Sequence, residues 1–182
     1  MIPTAPRQRH LAVAAAFAAV ARQVTDWSAP APVPGWTAAD VVGHLVDWST
    51  GFLAGGGVAL PANAAGEPIG RWEAHAASIQ RLLDGPDADR EFAHPMAGTH
   101  PLAEAVDRFY TTDVFMHTWD LARAAGIEPN LDEDEAERVL AGMRPIEQLL
   151  RDSGQYGPAQ SVAADAAAGD RLMAFAGRAP IR

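Results

Sequence analysis

The chain has 182 residues, 48% of them hydrophobic, with a formal net charge of -9 at pH 7 and no cysteine. That length suits one compact domain with a sizeable core, and the absence of cysteine excludes disulfides, thiolate metal ligands and a cysteine nucleophile. All 14 basic side chains are arginine, which excludes Schiff-base chemistry by lysine, and an acidic chain of pI about 5.0 with no basic stripe is a poor match for nucleic acid.

The first apolar run, "LAVAAAFAAVARQV", follows a basic "RQRH" and has the composition of a signal-peptide core. Arg22 and Gln23 fall where a cleavage site would stand, and Leu11, Val13, Phe17, Val20 and Val24 among alanines predict an amphipathic first helix instead. Mean hydropathy is -0.07, and no run approaches the roughly 20 apolar residues of a membrane span, so a soluble, cytoplasmic protein without membrane contact is expected. "SAPAPVPGW" then reads as an extended connection. In "TAADVVGHLVDWSTGFL", Thr37 and Asp40 predict a capped second helix whose apolar face carries Val41, Leu45, Trp48 and Phe52. His44 lies on or beside that face, one turn before Trp48.

"AGGGVALPANAAGEP" reads as a loop. "IGRWEAHAASIQRLLDG" predicts a third helix with Trp72, Ala76, Ile79 and Leu83 inward and Gly85 as its stop. A second loop, "PDADREFAHPMAGTHP", carries His94 and His100. Thr99 with Pro101 predicts the opening of a fourth helix that runs to Ala125 and stops at Gly126. "DEDEAERVLAGMRPIEQLLRDSG" predicts a fifth, kinked or broken near Pro145. "QYGPAQSVAAD" is irregular, and "AAAGDRLMAFAGR" forms a short closing helix. No strand of useful length and no repeat is visible. The expected fold is all-α and single-domain: an antiparallel bundle over residues 1–126 with a helical extension, residues 127–182, packed on it.

Asp113 and His117 interrupt the buried stripe of the fourth helix (Leu102, Val106, Phe109, Met116, Leu121). Four residues turn a helix through about 400°, so the two side chains stack on one face, and a buried carboxylate and imidazole need a partner. A divalent metal would satisfy both, with His44 as a third ligand from a neighbouring helix and a coordination position left open. A satisfied polar pair in the core is the other reading of the same spacing. His75, His94 and His100 stand outside the expected ligand set, with His100 the best placed of them to line a pocket.

"GWTAADVVGHLVDWS", "DVFMHTWDLARAAG" and "YGPAQSVAADAAAGDRLMAFAGRAP" together resemble the mycothiol-dependent maleylpyruvate isomerase group of the DinB-like superfamily, in order and over most of the chain. The resemblance implies a DinB-like four-helix bundle holding a divalent metal, typically zinc, through His44, Asp113 and His117. The isomerase proper carries glutamate where this chain has Asp113, which places the chain in an aspartate-bearing, actinobacterial branch. Mycothiol is the cofactor the resemblance implies, acting with a small electrophilic substrate in an isomerase or thiol transferase reaction. Asp120 is a candidate to orient a metal-bound histidine, and Arg71 and Arg123 are candidates to clamp a carboxylate, with a surface ion pair as the other and favoured reading of each arginine, whereas Trp119 reads as packing. A non-catalytic metal-binding sensor and a metal-assisted hydrolase use the same ligands. Either a monomer or a homodimer is compatible with the sequence.

Overall fold

A computed structural model describes residues 1–62, 66–163 and 165–179. Residues 63–65 of the first expected loop lie outside the described residues. Proline at the first helical position, where its missing N–H costs nothing, opens α1 (Pro6–Ala21). Val13, Ala14, Phe17, Ala18 and Ala21 are buried, and the small alanines let α1 lie against α3 and α5. Leu11, expected inward, is 59% exposed. It stands two residues, about 200° of helix, from Val13, so the two cannot share a face.

The segment expected to be extended doubles back. Val33, Pro34, Gly35 and Trp36 form a tight turn in which the Trp36 N–H donates to the Val33 carbonyl at 3.1 Å, with Gly35 at φ +80°. Proline second and glycine third are the residues a type II turn requires. The Ala31 N–H then donates to the Trp36 carbonyl at 2.8 Å, which brings the indole back towards the next helix. α2 (Ala38–Gly55) begins with the expected reciprocal cap: the Thr37 hydroxyl accepts from the Asp40 N–H, and the Asp40 carboxylate accepts from the Thr37 N–H at 2.8 Å. Such a cap contributes about 1 kcal/mol.

α3 (Pro68–Asp84) buries Trp72 against Phe17, ring centroids 4.3 Å apart. His75 takes an inward position on this helix, while Ala76 is only half-buried. The expected second loop contains a short antiparallel hairpin, β1 (Glu91–His94) with β2 (Gly98–Pro101), in which Phe92 faces His100. Its strands are four residues long and only Phe92 is buried, too little alternation to register as a strand pattern. Thr99 pairs with Ala93 in that hairpin and does not cap a helix. α4 (Leu102–Ala105) starts after Pro101 without a side-chain cap. Its first N–H groups are met by the loop instead, Leu102 donating to the Arg90 carbonyl at 2.9 Å and Ala103 to Ala88 at 2.8 Å.

α4 passes through a π-helical turn, Val106–Thr111, into α5 (Thr112–Ala124), so the expected long helix is one rod with a widened turn in it. The rod stops at Gly126, whose N–H donates to Arg123 while Ile127 donates to Ala122. α6 (Glu133–Met143) is capped by Asp132 and breaks at Pro145 into a 3-10 turn, followed by α7 (Glu147–Asp152). α8 (Ala168–Phe175) lies on α6 and α5. α2 rests on α3 and α5, and α1 on α3 and α5. Among the described residues the molecule is predominantly helical, as the sequence predicts, with one short hairpin in addition.

Candidate metal centre

α2 and α5 meet at His44, Asp113 and His117. One potential ligand atom from each lies within 4.8 Å of the others. His44 Nε2 is 3.0 Å from Asp113 Oδ2, and His117 Nε2 is 3.5 Å from Asp113 Oδ1. Both imidazoles therefore turn the same nitrogen towards one carboxylate. Two neutral imidazole nitrogens and a carboxylate oxygen suit a divalent ion of the zinc type, and three protein ligands leave a position for a further donor.

The far side of His117 is held by Asp120. Its carboxylate lies 2.8 Å from His117 Nδ1 and is fully buried. Arg178 reaches the same carboxylate with Nη2 at 3.0 Å and Nε at 3.3 Å. Burial works to raise the Asp120 carboxyl, but His117 and Arg178 overcome it and keep it below its ordinary range, hence ionised. Burial also works to raise Asp113, and His117, His44 and Arg178 together bring it below the ordinary carboxylate range. For His117 burial favours the neutral ring, and the two carboxylates, Asp113 and Asp120, reverse this and push its pKa up. A cation at the triad would compete with that proton.

Arg178 reaches this position through a backbone crossing. The Gly177 N–H donates to Ala174 and the Arg178 N–H to Met173, ending α8 with Gly177 at φ +95°. A Cβ on Gly177 would stand 2.7 Å from the Gly157 Cα, so only glycine lets the two strands of chain touch. Tyr156 precedes that crossing. Burial first, then the charge of Asp113, pushes its phenol up to about 12, leaving it a protonated O–H. Trp36 stacks over His117 at 5.6 Å and 18° and lies 4.9 Å from His44, while Trp48 stacks on His44 at 6.2 Å. The PG turn described above thus roofs the two imidazoles with an indole.

The other candidates from the sequence lie elsewhere. Arg71 faces Asp47 at 3.5 Å on the surface. Arg123 is paired with Glu128 and Asp170 and lies over the Trp119 ring. With Trp119, Val162, Asp170 and Arg178 it lines a cavity of about 310 Å³. Trp119 is 2% exposed and donates from Nε1 to Asp170 at 2.8 Å, as a packing residue does. His75 is buried with Nε2 2.7 Å from the Ser49 hydroxyl. His94 and His100, expected in an exposed loop, are half-buried in the hairpin. His94 Nδ1 accepts from the Met96 and Ala97 N–H groups, and His100 lies edge-on to Phe109. Sequence reading missed Arg178, Trp36 and Tyr156. Arg178 stands in the "GR" of the C-terminal motif, a signal that could have drawn attention to it.

Residues 10–122 match the family described as the mycothiol maleylpyruvate isomerase N-terminal domain. Two uncharacterised proteins, each from a strain of Mycobacterium tuberculosis, are 30% identical to this chain over 185 residues, covering 95% of it and 97% of their own length. No solved structure gives a significant match.

Proposed function

Because the chain belongs to the mycothiol maleylpyruvate isomerase N-terminal domain family, we propose that it is a zinc-dependent enzyme that presents mycothiol to a small electrophile, as an isomerase or a thiol transferase. The observation that carries this reading is the convergence of His44, Asp113 and His117 from two helices onto one point. The ring of contacts α1, α3, α2, α5 supports a four-helix bundle of the DinB type. Contact of α8 with both α5 and α6 supports a single domain in which residues 127–182 pack on residues 1–126.

Bound there, a divalent ion lowers the pKa of a thiol ligand and so supplies a thiolate at neutral pH, which this cysteine-free chain lacks on its own. Asp120 lies 2.8 Å away on the Nδ1 side of His117, a position that favours the tautomer offering Nε2 inward. Asp113 contributes the negative charge that offsets the cation. Trp36 and Trp48 stack on the faces of His117 and His44 and shield them in part, the His44 side chain keeping 27% exposure. Arg178 holds Asp120 with Nε and Nη2 and so steadies His117 from behind.

The deciding experiment is metal analysis of untagged protein, wild type beside Asp113→Ala, followed by an assay for mycothiol-stimulated loss of an electrophile such as maleylpyruvate. One equivalent of zinc that disappears in the variant, with thiol-dependent turnover, supports the proposal. Metal without thiol dependence would replace it with hydrolysis or sensing. No metal in wild type after reconstitution would make the triad a polar core cluster.

A further inference from the structure

The π-helical turn lies immediately before the helix that carries Asp113. A turn of this kind accommodates one extra residue, so everything after it is rotated by about 100° relative to an unbroken α-helix. The turn therefore fixes which side chains of α5 face α2. Its pivot is the Asp107 carbonyl, which accepts from the Thr112 N–H, from the Thr112 hydroxyl at 3.3 Å and from Arg9 Nη1 at 3.0 Å.

Arg9, on α1, is 1% exposed. Nη1 also donates to Asp107 Oδ1 at 2.7 Å, and Nη2 donates to the Thr112 hydroxyl at 3.2 Å. Nε donates to Glu135 Oε1 at 2.8 Å, and Nη2 reaches that oxygen too. Every N–H of the guanidinium is thus used. Glu135 comes from α6, is itself buried, and is held from its other side by Arg138 at 2.9 Å. Desolvating an arginine costs several kcal/mol, and a methionine would fill the same space without that penalty. Packing alone does not explain a guanidinium aimed at the carbonyl of a widened turn.

We infer that Arg9 is a positioning residue: it locks the π-turn in the register that turns Asp113 towards His44, and Glu135 makes that lock depend on docking of the C-terminal helices. In its consequence for metal affinity the inference rests on the proposed function; in its consequence for the turn it does not. Two readouts separate the two. The first is amide hydrogen exchange on metal-free wild type and Arg9→Met. Exchange at residues 110–113 should rise at least tenfold relative to amides of α2, since loss of the lock opens the turn locally. The second is cobalt(II) titration with chelator competition. Arg9→Met should bind at least tenfold more weakly with altered visible bands, and Arg9→Lys, which keeps the charge but not the fork, should fall between the two.

If Arg9→Met does not fold, Thr112→Val, which removes the hydroxyl bridge and leaves the Arg9–Glu135 pair, should show the same two changes to a smaller degree. A folded variant with wild-type exchange at residues 110–113 overturns the inference, as does wild-type cobalt affinity with an unchanged spectrum. Wild type that binds no cobalt overturns the metal reading, and exchange alone then decides the role of Arg9.

Discussion

Replacing Asp120 by asparagine removes one charge and leaves the shape of the side chain. Asp120 is fully buried between His117 Nδ1 at 2.8 Å and the Arg178 guanidinium at 3.0 Å. Asparagine with its carbonyl at the Oδ2 position still accepts from His117 Nδ1 and Arg178 Nη2, but it carries no charge and turns its amide donor towards Arg178 Nε, which sits 3.3 Å from Oδ1 in the native protein. Weakening the carboxylate behind a metal-binding histidine costs about 10- to 100-fold in affinity, or about 1.4–2.7 kcal/mol. Breaking a buried ion pair by removing one partner costs about 3–5 kcal/mol of stability. Arg178 keeps 13% exposure of its side chain and can turn part of its charge to water, so the lower end, about 3 kcal/mol, is expected. Zinc affinity by chelator competition and unfolding in urea measure the two quantities on the same samples. Asp120→Asn with zinc affinity within twofold of wild type would refute the orienting role, whatever its stability, and would leave Asp120 as an anchor for the C-terminal tail alone.

His44→Ala and His117→Ala should each abolish stoichiometric zinc binding, measured by elemental analysis; unchanged stoichiometry in both would displace the site. His75 is held near pKa 4, by burial first and then by the charge of His10, against about 6.5 in the unfolded chain. The unfolded chain takes up this proton between those values and the native state does not, so stability falls as pH drops through that window. The loss from pH 7.5 to pH 5 is about 2 kcal/mol. Urea unfolding of wild type and His75→Gln at both pH values tests this, with a smaller pH difference expected in the variant. Gly177→Ala places a Cβ at φ +95° against the Gly157 backbone, at a cost of about 1–3 kcal/mol for the backbone alone. It should loosen the tail to limited proteolysis and weaken zinc binding in the same direction as Asp120→Asn.

Much of the helical order was legible because helix signals are local. The Thr37 cap, the break at Pro145 and the stop at Gly126 are written within four residues of where they act. Asp113 and His117 were legible for the same reason, being one turn apart, and His44 because it sits on an apolar face that had to find a neighbour. Arg178 was not, since 58 residues separate it from Asp120 and no periodicity links a terminal arginine to an aspartate. The widened turn was hidden too. A regular period places Phe109 on the buried stripe, but the inserted residue hands that position to Tyr110, leaving Phe109 half-buried. The hairpin failed on length, and the fold-back before α2 on the reading of prolines as spacers when one of them, next to a glycine, starts a turn.

His44 and Asp113 are separated by 69 positions along the chain and joined only when α2 and α5 lie side by side. An unfolded chain therefore offers a cation no comparable set of donors, and on the proposed function every ion bound is bound to native protein. Metal supply then acts as a conformational ballast. At a free concentration of 100 times its dissociation constant, an ion raises the unfolding free energy by about 2.7 kcal/mol. Thermal midpoints recorded in chelator and in zinc should diverge accordingly. In a zinc-starved cell the same linkage would surface as faster turnover of the polypeptide, before any change in its synthesis.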